Sequence, residues 1–200
     1  MKRRESQQTR DGRAHQDGAP TRELQVAHTT LRNELRKRVP WMGLALVAGG
    51  FMVFVSRHFE QALSRNLELV LFVPVIVYLS DSIGTETLAL FVRELSQEKV
   101  VLRKLLLREV MVGLTLGIVT GVPVGLLSYL WLKDARLGVA LLLAMTVNGL
   151  VAVLTGMLVP MAFAKLRRDP ALGTDEITTA ISDNASLLIY LVVATLILAS

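Results

Sequence analysis

ITTAISDNASLLIYLVVATLILAS, residues 177–200, decides what kind of chain this is. It is long enough to cross the ~30 Å hydrocarbon layer of a bilayer as a helix, which takes about 20 apolar residues. Its only charge is Asp183. A carboxylate inside such a helix is expensive and needs a reason. Thr178, Thr179, Ser182, Asn184 and Ser186 surround it, and that bed of hydroxyls and amides points to a wet cavity rather than a lipid face. The competing reading, a pair with an Arg of another helix, is weakened because no Arg or Lys lies deep in any apolar run.

Four more apolar runs precede this one. They are Val39–Ser56, Leu67–Leu95, Val110–Leu132 and Leu137–Ala164. Pro40 suits the start of the first, and Trp41 suits the headgroup level. The second is interrupted: LVLFVPVIVYL (69–79) gives way to SDSIGTET (80–87) before LALFV resumes. The fold class is therefore an all-α membrane protein with five transmembrane helices per chain. The composition agrees, at 52% hydrophobic residues and a mean hydropathy of +0.49. There are no cysteines, so disulfides, thiolate zinc sites and cysteine nucleophiles are excluded.

The formal net charge of +5 sits in an N-terminal arm. Residues 1–21 are polar and read as disordered. In residues 22–38, Leu24, Ala27, Leu31 and Leu35 recur at helical spacing among charges, which predicts a short amphipathic helix on the inner membrane face. Residues 39–200 form the membrane domain. A basic arm followed at once by a span reads as a tail on anionic lipid, and no nucleic acid is expected as partner. Nor does it read as a targeting peptide, since no cleavage site follows the first apolar run. Five spans put the termini on opposite sides. With the N-terminus inside, inner segments carry twelve Lys/Arg (32, 36, 37, 38, 93, 99, 103, 104, 108, 165, 167 and 168) and outer loops four (57, 65, 133 and 136). The positive-inside rule then favours N-in, C-out, a multi-pass cell-membrane protein with a cytoplasmic N-terminus.

A second polar cluster, Ser80, Asp81, Ser82, Gly84, Thr85 and Glu86, lies within the second span. Pro74 and Gly84 are expected to loosen the helix there and free carbonyls to face a cavity. The alternative is that a short helix simply ends here in water, and the test is whether LALFVREL continues the same helix. Glu109 opens the third span, either as a favourable acid at a helix N-terminus or as a ligand at the inner mouth. Asn148 suits an interhelical hydrogen bond. Gly113, Gly117 and Gly121 recur every four positions, as in close helix packing. The candidate metal ligands are thus Asp183, Asp81, Glu86, Ser182, Asn184, Thr85 and Glu109, all oxygen donors, which suit hard cations. Magnesium dehydrates reluctantly and is held by one or two carboxylates through retained waters. One Asp per chain matches a divalent ion poorly. A twofold axis beside the fifth helix would supply two, which predicts a homodimer with a pore at the interface. Acid–base catalysis by Asp183, Asp81 and Glu86 is the weaker reading, because no nucleophile or histidine lies in the spans, and no enzyme is expected.

These residues form a pattern. The chain resembles the transmembrane domain of MgtE-type magnesium channels and transporters, and more distantly their eukaryotic solute-carrier relatives, from about Arg38 to Ala199. The resemblance is carried by RVPW (38–41), HFE (58–60), FVPV (72–75), IGTET with LALFVREL (83–95), REVMVGLTLG (108–117), GMLVPMAFAKLRRDPAL (156–172) and ISDNASLLIYLVVATLIL (181–198). It implies a homodimer of five helices per chain with an interface pore lined by the second and fifth helices. It also implies that Asp183 holds a hydrated Mg²⁺ ion, and that Gly84, Thr85 and Glu86, with Asp81 just before them, form the second helix's polar segment. The transported ion is then Mg²⁺, with other divalent cations open. SDSIGTET carries acids where the family has neutral residues. The family's cytosolic sensing domains have no counterpart in these residues. Gating is therefore expected from the pore, the short helix or a separate regulatory subunit, with which the chain would conduct only as an assembly.

Overall fold

The computed structural model describes residues 31–95, 102–166 and 173–199. They form six helices: α1 Leu31–His58, α2 Glu60–Arg65, α3 Glu68–Leu95, α4 Leu102–Leu132, α5 Ala135–Lys165 and α6 Thr174–Ala199. All except α2 are long and apolar enough to cross a membrane. The five runs read from the sequence correspond to α1, α3, α4, α5 and α6. The outward faces are apolar, with Leu46, Phe54, Leu71, Leu107, Trp131 and Leu196 all exposed. Apolar exposure on that scale is the inverse of a water-soluble surface.

The chain divides into two compact bodies, Met1–Pro40 and Trp41–Ser200. In the first, the expected arm 1–21 and the start of the amphipathic helix at 22–30 lie outside the described residues. Residues 31–40 are the opening turns of α1, with Leu31 and Leu35 exposed. Pro40 therefore lies inside α1 rather than at its start. The cost is one missing backbone donor, and in a long helix the remaining bonds carry the geometry through.

In the second body, α5 is central and packs against α3, α4 and α6, while α3 also packs against α6. The main core joins Leu69, Phe72 and Ile76 of α3 to Leu141, Ala144 and Met145 of α5 and Leu187, Tyr190 and Leu191 of α6. The Tyr190 hydroxyl, fully buried, donates to the carbonyl of Leu69 at 2.9 Å. Tyr190→Phe removes that bond and leaves the shape. It is expected to cost about 1 kcal/mol, read as a fall of about 2–4 °C in the melting temperature of the detergent-solubilised chain.

The α4–α5 hairpin turns on Lys133, at φ 59°, and Asp134, whose carboxylate accepts from the amides of Arg136 (2.8 Å) and Leu137 (3.2 Å) to cap α5. The glycines of α4 lie directly on the α5 backbone. A Cβ on Gly117 would sit 2.6 Å from the Met145 carbonyl, and one on Gly149 would sit 2.5 Å from that of Gly113. The expected close packing through Gly113, Gly117 and Gly121 is borne out, and α5 is the partner.

The expected loosening of the second span does not occur. α3 runs unbroken through Pro74 and SDSIGTET into LALFVREL. The polar cluster is mid-helix rather than a helix end in water. Gly84 lies at the α3–α5 crossing, where the close approach rests on Gly156 of α5: a Cβ on Gly156 would sit 2.5 Å from the Gly84 carbonyl.

Candidate functional site

A helix brings residues four apart onto one face. On α6 this aligns Asp175, Thr179 and Asp183. With Glu176, Ala180 and Asn184, they form one wall of a hollow of about 250 Å³. The other wall is α1, through Ala45, Ala48, Gly49 and Met52. Those side chains are short, and a Cβ on Gly49 would meet nothing within 4 Å, so the space between the helices stays open. α1 is seated on either side of the hollow. The Trp41 ring lies directly against Gly173, which at φ 78° sits in the left-handed region that favours glycine, and a Cβ there would enter the ring. Further along, Val55 is buried in the core and Met52 packs against it.

Asp81 reaches the same face of α6 from α3. Thr179 Oγ1 donates to Asp81 Oδ1 at 2.9 Å, a side-chain bond between the two helices that carry the candidate acids. Asp81 is near enough to feel the charges of both Asp183 and Asp175. Asp183 Oδ1 is buried and has no hydrogen-bond partner among the described residues. Asn184 uses its Nδ2 on the Ala180 carbonyl, at 2.8 Å, and leaves its Oδ1 unbonded. Asp183 and Asn184 thus line the hollow, and each has a buried oxygen without a hydrogen-bond partner among the described residues. Among the described residues, no group of three or more acids or histidines is tight enough to chelate a bare metal ion.

The other predicted ligands are placed elsewhere. Ser182 is 2% exposed and does not line the hollow; its Oγ lies beside Gly84 at the α3–α5 crossing. Thr85 donates along its own helix to the Asp81 carbonyl at 2.9 Å. Glu86 is exposed on α3 and does not line the hollow. Glu109 belongs to a separate cavity between the ends of α3 and α4, where Arg108 Nη2 holds its Oε1 at 2.8 Å and Glu94 Oε1 at 2.9 Å. Asn148 makes the interhelical bond expected of it, from Nδ2 to the Ser186 carbonyl at 3.3 Å. Sequence reasoning did not include Asp175, Glu176 or Thr179 among the ligands. The signal was the four-residue spacing 175, 179, 183, hidden because α6 begins at Thr174 and not at Ile177.

The chain matches a family model described as MgtE, divalent cation transporter, over residues 73–193. It is similar to the protein named magnesium transporter MgtE from Bacillus subtilis, 30% identical over 162 residues, and to that from Enterococcus faecalis, 32% identical over 163 residues. The protein of that name from Thermus thermophilus is 31% identical over 170 residues. Each alignment covers 80% of this chain and 36% of the relative, so the chain spans little more than a third of the length of the curated relatives it matches. With matched motifs on α3 through α6 and five helices suited to spanning a bilayer, the chain belongs to the MgtE divalent cation transporter family.

Proposed function

We propose that this chain forms the conducting membrane part of a magnesium transporter, with residues 39–200 as the transport domain and Mg²⁺ crossing in hydrated form. The observation that carries the reading is Asp183 itself, a mid-helix carboxylate that lines the hollow and whose Oδ1 has no hydrogen-bond partner among the described residues. The names of the curated relatives supply the ion. Two chains related by a dyad beside α6 would present two Asp183 carboxylates to one ion, matching its charge of +2. α3 and α6 would line the pore, with Asp81 held toward it by Thr179. The lysines and arginines at the α3–α4 and α5–α6 ends favour N-in, C-out. The ion gradient and membrane potential drive movement.

The purified chain in liposomes loaded with a Mg²⁺-sensitive dye is expected to admit Mg²⁺ at a rate that rises with an inside-negative potential. At ~2.3 kcal/mol per charge per 100 mV, a divalent ion feels a strong bias. Liposomes that stay as tight as protein-free ones, with the protein verified folded and inserted, would sink the reading.

A further inference from the structure

The cavity between the ends of α3 and α4 is not part of the hollow beside Asp183. It encloses about 290 Å³, and its walls include Leu90, Phe91, Arg93, Glu94, Arg108 and Glu109. Its charged groups are arranged unevenly. Arg108 is committed: it binds Oε1 of Glu94 and, through both Nε and Nη2, Oε1 of Glu109. Those bonds leave Oε2 of each acid for another donor. Arg93 has no ion-pair partner among the described residues. The cavity therefore offers one unengaged cation and two carboxylate oxygens, inside a group whose formal charges cancel.

A ligand that answers this pattern is neutral overall, with a phosphate for Arg93 and an N–H-bearing ammonium for the two acids. Guanidinium–phosphate and ammonium–carboxylate bonds are the stronger, charge-assisted kind. The place in the fold points to the source. α3 has 28 residues and α4 has 31, so at ~1.5 Å per residue both exceed the ~30 Å hydrocarbon layer, which places the C-terminal turns of α3 and the N-terminal turns of α4 at headgroup depth. Leu90 and Leu107 beside the cavity are 57% and 68% exposed, which gives acyl chains a surface. We propose that this cavity binds the phosphoethanolamine headgroup of a membrane lipid, bridging the ends of α3 and α4.

Native mass spectrometry of the purified full chain tests this, with phosphatidylethanolamine, phosphatidylcholine and phosphatidylglycerol of matched acyl chains added at equal concentration. The parent chain is expected to retain phosphatidylethanolamine about tenfold over the other two, since choline has no N–H and glycerol has no cation. The double variant Glu94→Gln/Glu109→Gln is expected to lose that preference. Arg93→Gln is expected to lower retention of both phosphatidylethanolamine and phosphatidylcholine. It leaves the Arg108 bonds intact, so its result stands even where the double variant fails to fold. Equal retention of the three lipids by the parent, or an unchanged preference in the double variant, overturns the proposal. Free phosphoethanolamine at millimolar concentration is expected to leave the lipid in place, and displacement by it would assign the cavity to a solute instead. Retention is read without any ion flux, so its failure is distinguishable from failure of the transport reading.

Discussion

Asp183→Asn is expected to lower Mg²⁺ entry into proteoliposomes by about a hundredfold or more at submillimolar Mg²⁺, while the protein inserts and elutes as the parent does. The substitution keeps size and hydrogen-bonding capacity and removes one negative charge. A divalent ion about 6 Å from a carboxylate, at an effective dielectric of about 20, is held by roughly 5–6 kcal/mol. Water and counter-ions in an open hollow screen much of that. Even a third of it from each of two chains corresponds to about a hundredfold or more in occupancy. No described cation would be stranded by the change, because Asp183 Oδ1 has no partner to lose. Glu86→Gln is the contrasting variant. Its carboxylate is exposed on α3 and outside the hollow, so flux is expected to stay within about threefold of the parent. Equal flux through Asp183→Asn and the parent chain would remove Asp183 from the conduction path.

Much of this is legible in the sequence. Apolar windows located the five long helices, because lipid demands continuous apolar length and the chain supplies it. Asp183 stood out for the converse reason. What the sequence concealed falls into three kinds. The first is helix ends: α6 starts three residues earlier than its apolar run, at Thr174, which turns Asp175 from a loop residue into part of the Asp183 face. The second is pairing across distance. Nothing local announces that Arg108 engages Glu94, fourteen positions earlier, and so draws Glu109 into a charge cluster away from the hollow. The third is the role of small residues. Gly84 read as a weak point in a helix and lies instead at a crossing whose closeness depends on Gly156 of α5, because helix propensity is judged locally while close packing is decided by a partner. α2 escaped for a related reason. Its six residues, EQALSR, make no apolar window, and it exists beside a core onto which Phe59 and Leu63 pack.

The glycines permit a graded test of how the bundle holds together. Gly117→Ala places a methyl 2.6 Å from the Met145 carbonyl and 2.7 Å from the Thr146 Cα, both backbone atoms that cannot rotate away. Gly149→Ala places one 2.5 Å from the Gly113 carbonyl and 2.7 Å from the Gly117 Cα. Ordinary contact lies near 3.5–4.0 Å, so each methyl forces α4 and α5 apart by about 1 Å along the whole seam. Each is expected to cost about 1–3 kcal/mol, read as a lower melting temperature in detergent and a smaller folded fraction after purification. The two should not add, because one separation of the helices relieves both clashes. Gly84→Ala is different in kind: its methyl would meet the Ala152 carbonyl and Ser182 Oγ at 3.5 Å, ordinary contact, so stability close to the parent is expected. At Gly50 nothing lies within 4 Å, and the gain in helix propensity, up to about 1 kcal/mol, is expected to leave Gly50→Ala neutral or slightly stabilised. The predicted order of melting temperatures is therefore Gly50→Ala at or above the parent, Gly84→Ala beside it, and Gly117→Ala and Gly149→Ala well below. If Gly117→Ala melted with Gly50→Ala, backbone contact between α4 and α5 would not be what holds the hairpin.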